Sequence, residues 1–167
     1  MELRIVLMGV AGSGKSAVGA ALAQELGGVY LDGDDLHPAH NIEKMSRGEP
    51  LTDADRWPWL SLVGQKLAPS GKTLIIGCSA LKRCYRDFIR KEAAAPVIFV
   101  HLAGTKALIS ARMGARAGHF MPTSLLDSQF ATLEPPAPDE TAITVDIDQP
   151  LAALVDDIVT KLEENSP

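Results

Sequence analysis

A largely apolar run of six residues leads directly into a glycine-rich octapeptide: Leu3-Arg4-Ile5-Val6-Leu7-Met8, then Gly9-Val10-Ala11-Gly12-Ser13-Gly14-Lys15-Ser16. The octapeptide fits the pattern G-x-x-x-x-G-K-[ST] without a mismatch, and it lies between a predicted strand and a predicted helix, the context that supports this motif. Its glycines allow positive φ angles and bring backbone N–H groups against phosphate oxygens. The helix N-terminus adds partial positive charge. The stretch therefore predicts a phosphate loop for a purine nucleoside triphosphate.

Two side chains of this loop have chemical roles of their own. Lys15 can reach the β- and γ-phosphates, and the Ser16 hydroxyl can ligate magnesium. The predicted nucleotide-binding residues of the loop are Gly9, Val10, Ala11, Gly12, Ser13, Gly14, Lys15, Ser16 and Ala17. A rival interpretation is a dinucleotide loop, because residues 12–17 also fit G-x-G-x-x-A and acidic residues follow near position 32. That rival gives no reason for the pair Lys15-Ser16.

Short apolar runs alternate with stretches of helical periodicity along the whole chain. The predicted strands are residues 3–8, 29–31, 73–76, 97–102 and 142–147, and the predicted helices are residues 14–26, 54–68, 80–94, 105–117, 122–133 and 149–164. Nearly continuous apolar strands are typical of parallel sheets that are covered on both faces. The alternation predicts an α/β fold with right-handed crossovers. At 167 residues, we expect residues 1–167 to form a single domain.

Carboxylates follow the second predicted strand. Asp32 and Asp34 come at its C-terminal end, and ligands of open α/β sheets bind at the carboxyl ends of the strands. Residues two apart project to the same side of an extended backbone, so these two carboxylates should lie together. One could hold magnesium through water while the other accepts the proton of an attacking hydroxyl. The third strand ends in Gly77-Cys78-Ser79-Ala80 without a carboxylate, so Asp32 is the better metal candidate and Asp34 the base.

Several segments together resemble the gluconokinases, which are small phosphate-loop sugar-acid kinases. The matching segments are residues 8–16, 32–38 (DGDDLHP), 41–45, 48–60 (GEPLTDADRWPWL), 78–83 (CSALKR), 119–122 (HFMP) and 125–130 (LLDSQF). The resemblance implies phosphorylation of D-gluconate to 6-phosphogluconate with ATP and Mg²⁺ by a homodimer. It also implies a nucleoside-monophosphate-kinase-like fold, with five parallel strands in the order 2-3-1-4-5 and a mobile lid over roughly residues 112–125.

A gluconate site needs a cation for the carboxylate, polar groups for the hydroxyls and a base near the terminal hydroxyl. Arginine offers a fork that matches carboxylate oxygens, and lysine offers a point charge. The predicted substrate-binding residues are Asp34, His37, Arg56, Ser79, Lys82, Arg86 and His119. For Arg56 an ion pair with Asp53 or Asp55 is the alternative. Contacts of His40 and Gln129 with substrate stay open, since helix capping or an interface explains Gln129 equally well.

Two arginines precede the glycine-containing loop of the expected lid. Arg112 and Arg116 are four residues apart and share one helical face. By the resemblance, Arg112 lies near the adenine and phosphates, and Arg116 near the transferring phosphate, where it would stabilise charge together with Lys15. Gln149 and Pro150, after the last strand, are candidates for contact with the base. Capping of the last helix is an equally good explanation for that loop.

The composition excludes several other function classes. The net charge of −5 argues against a nucleic-acid partner, and no apolar run reaches the roughly 18–20 residues that cross a bilayer. Cys78 and Cys84 cannot form a disulfide framework, and the N-terminus lacks a signal-peptide pattern, so we expect a cytoplasmic protein. Two alternatives remain: a shikimate-kinase-like enzyme of the same fold, and a non-catalytic nucleotide-binding switch.

Overall fold

A five-stranded parallel sheet forms the centre of the protein. The computed structural model describes residues 2–115 and 123–165. The strands are β1 (Arg4–Met8), β2 (Val29–Asp32), β3 (Leu74–Gly77), β4 (Ile98–Ala103) and β5 (Ala142–Asp146). They lie in the order β2-β3-β1-β4-β5, and every neighbouring pair is parallel. The fold class and the strand order implied by the resemblance are both confirmed.

Helices connect the strands as the alternating pattern predicts. They are α1 (Lys15–Leu26), α2 (Ala39–Ser46), α3 (Asp53–Lys66), α4 (Arg83–Ala93), α5 (Lys106–Ala115), α6 (Thr123–Thr132) and α7 (Leu151–Glu164), with a 3-10 helix at Gly33–Leu36. The sequence did not separate α2 from the irregular region before α3. A capping box explains where α3 begins, because the Thr52 side chain accepts from the Asp55 N–H and the Asp55 side chain accepts from the Thr52 N–H.

The sheet is buried on both faces. In β1, Ile5 and Leu7 pack into a core on one face, and Val6 and Met8 pack into a core on the other. Helices α1 and α7 cover the first face through residues such as Leu22 and Ile158, while α3 and α4 cover the second through Leu60 and Ile89. Because both faces of the sheet are buried, the strands consist of nearly continuous runs of apolar residues.

The topology brings the predicted functional segments to one edge. All five strands run in the same direction, so their carboxyl ends meet there. The phosphate loop follows β1, Asp32 ends β2, and Ser79 lies just beyond β3. Over residues 2–115 and 123–165, no helix has the length and apolar character that crossing a membrane requires.

Candidate active site

The phosphate loop has the backbone conformation that its glycines permit. Gly12 has φ +80°, and a Cβ on it would lie 2.6 Å from Cγ of Met113 in α5. Gly14 has φ +96° and immediately precedes α1, whose first residue is Lys15. Helix α5 therefore packs directly against the loop. The loop leads into the N-terminus of α1, and a helix N-terminus of this kind binds anions.

The Lys15 side chain folds back over the loop. Its ammonium donates to the backbone carbonyls of Gly9 at 3.0 Å and Val10 at 3.1 Å. Burial lowers the pKa of Lys15, and the negative charges of Asp34 and Asp32 oppose that shift. The carboxylates after β2 thus lie close enough to Lys15 to affect its pKa. The phosphate loop and the end of β2 therefore lie at the same edge of the sheet, as the sequence predicts.

The relation between Asp32 and Asp34 differs from the prediction. The strand ends at Asp32, and the backbone turns into the 3-10 helix at Gly33, so the two residues are not neighbours on one face of an extended strand. Oδ1 of Asp32 instead accepts from the Asp34 N–H at 2.9 Å and caps the turn. The two residues are therefore linked through a turn, and the expectation from extended backbone geometry was wrong.

The Asp34 carboxylate has a perturbed acidity. It lies among the walls of a cleft, although 75% of its side-chain surface remains open. Partial desolvation and then the charge of Asp32 raise its pKa, and the ammonium of Lys15 lowers it by less. A raised pKa beside a phosphate loop makes Asp34 a candidate for a general base.

His37 lies beside Asp34 as a neutral ring. It stacks on Trp59 with centroids 4.0 Å apart, and burial followed by the charge of Arg56 lowers its pKa to about 4. The Asn41 Nδ2 group donates to the Asp55 carbonyl and also lies 3.2 Å from His37 Nδ1. Since an amide nitrogen only donates, Nδ1 accepts and Nε2 carries the proton. That Nε2 is 3.8 Å from Oδ1 of Asp34.

A cavity joins the phosphate loop to these groups. Its volume of about 240 Å³ is below the roughly 300–1,000 Å³ of sites for drug-sized ligands, so it suits a small acceptor. Six of the residues predicted to bind substrate or phosphate line it: Ala11, Lys15, Asp34, His37, Arg56 and Ser79. Sequence reasoning missed its apolar wall, which includes Met45, Leu51, Leu81 and Leu125, and left Gln129 undecided.

Arg56 and Lys82 both contact Asp53, and each lies over the Tyr85 ring. Arg56 Nη1 donates to the Tyr85 hydroxyl at 3.1 Å and is 3.8 Å from Asp53 Oδ1, while Lys82 Nζ is 3.4 Å from the same oxygen. The Tyr85 hydroxyl itself donates to Asp53. Arg56 also lines the cavity, whereas Lys82 contacts Asp53 outside the cavity wall. His40 contacts Asp55 at 3.0 Å and is not in the wall.

The structure corrects the prediction for Arg86. Its side chain is fully buried and makes two bonds to Glu140, from Nε at 2.7 Å and from Nη2 at 3.0 Å. Its remaining nitrogen donates to the Ala80 carbonyl at 2.9 Å. The guanidinium is therefore used in holding α4 against the segment before β5, and it does not line the cavity. A basic helix pattern could not reveal which arginine faces inward.

The residues predicted near the adenine share one region. Arg112 Nη2 donates to the Ile147 carbonyl at 2.7 Å, which ties α5 to the loop after β5. In that loop Gln149 donates to the Asp146 carbonyl at 2.7 Å, and Pro150 is the N-cap of α7. Arg116 and His119 lie outside the described residues, so their predicted roles stay predictions.

Known proteins resemble this chain over nearly its full length. A family model described as an AAA domain matches residues 5–136. The thermoresistant gluconokinase of Escherichia coli (strain K12) is 49% identical over 154 residues, covering 90% of this chain and 87% of that protein. The probable gluconokinase of Xenopus tropicalis is 42% identical over 171 residues, covering 92% and 90%.

A solved structure extends this similarity to three dimensions. The crystal structure of a gluconokinase from Sinorhizobium meliloti 1021 matches with a TM-score of 0.91 at 49% identity, covering 97% of this chain and 92% of that one. Identities of 42–49% hold in each comparison over most of both chains. The chain belongs to the gluconokinase family.

Proposed function

We propose that this protein is a gluconokinase, which transfers the γ-phosphoryl group of ATP to D-gluconate and forms 6-phospho-D-gluconate. The observation that carries the proposal is a single cavity lined by Lys15, Asp34 and Arg56. These groups suit the three charged or reactive parts of the reaction: the phosphates, the attacking hydroxyl and the acceptor carboxylate. Family membership supports the choice of acceptor, because the relatives are named gluconokinases.

The proposed chemistry is direct in-line transfer. Asp34 orients the terminal hydroxyl of gluconate and takes its proton as the oxygen attacks the γ-phosphorus, and the bond to the β-phosphate oxygen breaks. The raised pKa of Asp34 supports this role, since a base works best when its pKa approaches the operating pH. Lys15 balances the charge that spreads over the transferred group, and Arg116 joins it there by resemblance.

The residues of the cavity wall support proposals for the remaining contacts of gluconate. Arg56 would bind the carboxylate, with Lys82 adding positive charge from its place on Asp53. His37 Nε2–H and the Ser79 hydroxyl would bind acceptor hydroxyls, since both residues line the cavity. At the nucleotide end, Arg112, Gln149 and Pro150 would contact the adenine, and His119 would contact the acceptor.

Magnesium is the proposed metal, held by the Ser16 hydroxyl and, through water, by Asp32. Oxygen donors of this kind fit a hard cation, and Ser16 is exposed at the start of α1. Oδ1 of Asp32 caps the Asp34 N–H, which fixes the orientation of this carboxylate at the end of β2. When bound, the ion neutralises charge on the β- and γ-phosphates.

A coupled ADP-release assay tests the function directly. With ATP and magnesium, we expect D-gluconate to increase ADP release strongly over the rate without acceptor, and shikimate, other sugar acids and nucleotides to increase it far less. Strong stimulation by a different acceptor would show that gluconate is not the substrate, while the proposed in-line transfer would still apply. No stimulation by any acceptor, with ATP still bound, would favour the nucleotide-binding switch.

Replacing Lys15 with alanine should weaken both ATP binding and turnover. Hydrogen bonds to charged groups contribute about 1.5–3 kcal/mol, so ATP affinity should fall roughly 10- to 100-fold. A fluorescent-nucleotide titration and steady-state kinetics measure the two effects. Lys66→Ala, on the exposed end of α3, is the control and should resemble the unmodified protein. Full ATP affinity in Lys15→Ala would contradict the phosphate-loop assignment.

Several finer properties belong to the same proposal and await their own tests. We propose a homodimer, a single kinase domain over residues 1–167, and a lid over about residues 112–125, on the basis of the resemblance. A cytoplasmic location is consistent with the free thiols of Cys78 and Cys84. Size-exclusion chromatography with light scattering would test the dimer.

A further inference from the structure

Gln129 of α6 makes a hydrogen bond to the phosphate loop. Its Oε1 accepts from the backbone N–H of Ala11 at 2.7 Å, a contact between residues 118 positions apart. A backbone N–H can only donate, so the atom that faces it must be the amide oxygen. This contact fixes which way the carboxamide points and leaves its two N–H donors beside the loop.

The helix that carries Gln129 is held in place. Leu126, one turn earlier, is buried in the core on the α1 side of the sheet. Beyond the helix, the Glu134 N–H donates to the Leu81 carbonyl at 2.7 Å. Gln129 lies inside α6, and its side-chain oxygen bonds to Ala11 rather than to an end of the helix, so it is not the helix cap that the sequence left open. Its position therefore reflects the contact with Ala11.

Gln129 also lines the acceptor cavity together with Lys15, Asp34 and Arg56. Its Nε2 has no hydrogen-bond partner within the described part of the chain. An amide nitrogen in such a place offers two donors to a ligand and accepts nothing. Because its Oε1 bonds to Ala11, this carboxamide lies where the phosphate loop borders the cavity.

We infer that Gln129 is a substrate-binding residue whose Nε2 donates to a hydroxyl oxygen of the sugar-acid acceptor, other than the hydroxyl that is phosphorylated. This inference rests on the proposed function. A bond donated to the attacking oxygen would withdraw electron density from it and weaken it as a nucleophile, so a neighbouring hydroxyl is the suitable partner. The same carboxamide thereby joins the acceptor to the phosphate loop through Ala11.

The test combines changes in the enzyme with changes in the substrate. Gln129→Met keeps the length of the side chain and removes both polar groups; Gln129→Glu keeps an oxygen for the Ala11 N–H and removes the donors. Each variant and the unmodified enzyme are assayed with D-gluconate and with the monodeoxy analogues that keep its terminal hydroxyl. We expect KM for gluconate to rise about 10-fold in both variants.

The deciding result is the pattern across the analogues. For one hydroxyl position, deoxygenation should raise KM in the unmodified enzyme and have little further effect in either variant, because the partner is already gone. Losses that add at every position would overturn the inference. So would weaker ATP binding with an unchanged KM for gluconate, which would mean that Gln129 only supports the loop.

The controls separate this inference from the proposed function. Gln65→Met makes the same change at an exposed glutamine of α3, whose Nε2 contacts Ser61, and should leave KM unchanged. Thermal unfolding checks that both Gln129 variants are folded. An unmodified enzyme that does not phosphorylate gluconate would overturn both proposals, whereas an active enzyme with additive losses would overturn the role of Gln129 alone.

Discussion

Asp34→Asn should bind ATP with nearly unchanged affinity and lose at least about 100-fold in turnover with gluconate, in the range of general-base effects. The amide keeps the shape of the side chain but cannot take the proton of the attacking hydroxyl. Nucleotide titration and kcat for gluconate measure the two parts. Asp35→Asn, one residue along in the same 3-10 helix, is the matched control and should keep most of the activity.

The pH profile gives a second test of Asp34. Desolvation and the charge of Asp32 raise its pKa above the ordinary 3.8, and the base must be ionised to work. Turnover should therefore fall as the pH drops through that raised value, and the residual activity of Asp34→Asn should lack this limb. Near-normal turnover in Asp34→Asn would remove the residue from the role of base.

Glu140→Gln should lower the free energy of unfolding by about 3–5 kcal/mol, because it leaves the buried Arg86 charge without its counterion. Glu140 is 1% exposed and also accepts from the Ala137 N–H at 2.8 Å. Urea unfolding measures the change. Asp139→Asn is the matched control: its partner Arg83 is on the surface, where solvent screens the pair, so the loss should be much smaller.

The same ion pair sets a pH dependence of stability. Hydrogen bonds from Arg86, together with the Ala137 N–H and the charge of Arg90, lower the pKa of Glu140 from 4.5 to about 2. A depressed pKa means that the stabilisation is complete above pH 4.5 and is lost as the pH falls toward 2. Glu140→Gln should lack this part of the acid dependence. Equal, small losses in Glu140→Gln and Asp139→Asn would show that the buried pair adds little.

The residues of α4 show where sequence patterns stop being informative. Arg83, Arg86 and Arg90 are all on one short helix, yet Arg86 is fully buried while Arg83 pairs with Asp139 at the surface. Because the three residues are of the same type and are similarly spaced, the sequence does not indicate which arginine is buried and which is exposed. The difference depends on Glu140, 54 positions away, whose placement follows from the path of the chain into β5.

The cavity beside the phosphate loop also has lining residues that the sequence predicts and others that it does not. Asp34 and Arg56 could be predicted because they are charged, follow recognisable motifs, and have chemistry that the reaction needs. The apolar wall formed by Met45, Leu51 and Leu125 could not, since apolar residues have no chemical signature that separates pocket from core. Gln129 stayed undecided because its contact with Ala11 joins distant segments.

The amino-acid sequence alone determined the phosphate loop, the α/β class and the order of most elements, because these depend on local spacing: glycines at fixed offsets and apolar runs of strand or helix period. Tertiary structure decided what depends on contacts between distant segments. It turned the chain at Gly33 so that Asp32 caps Asp34, buried Arg86 against Glu140, and brought Gln129 to the loop. A side chain's partner is set by packing, and packing is a property of the whole fold.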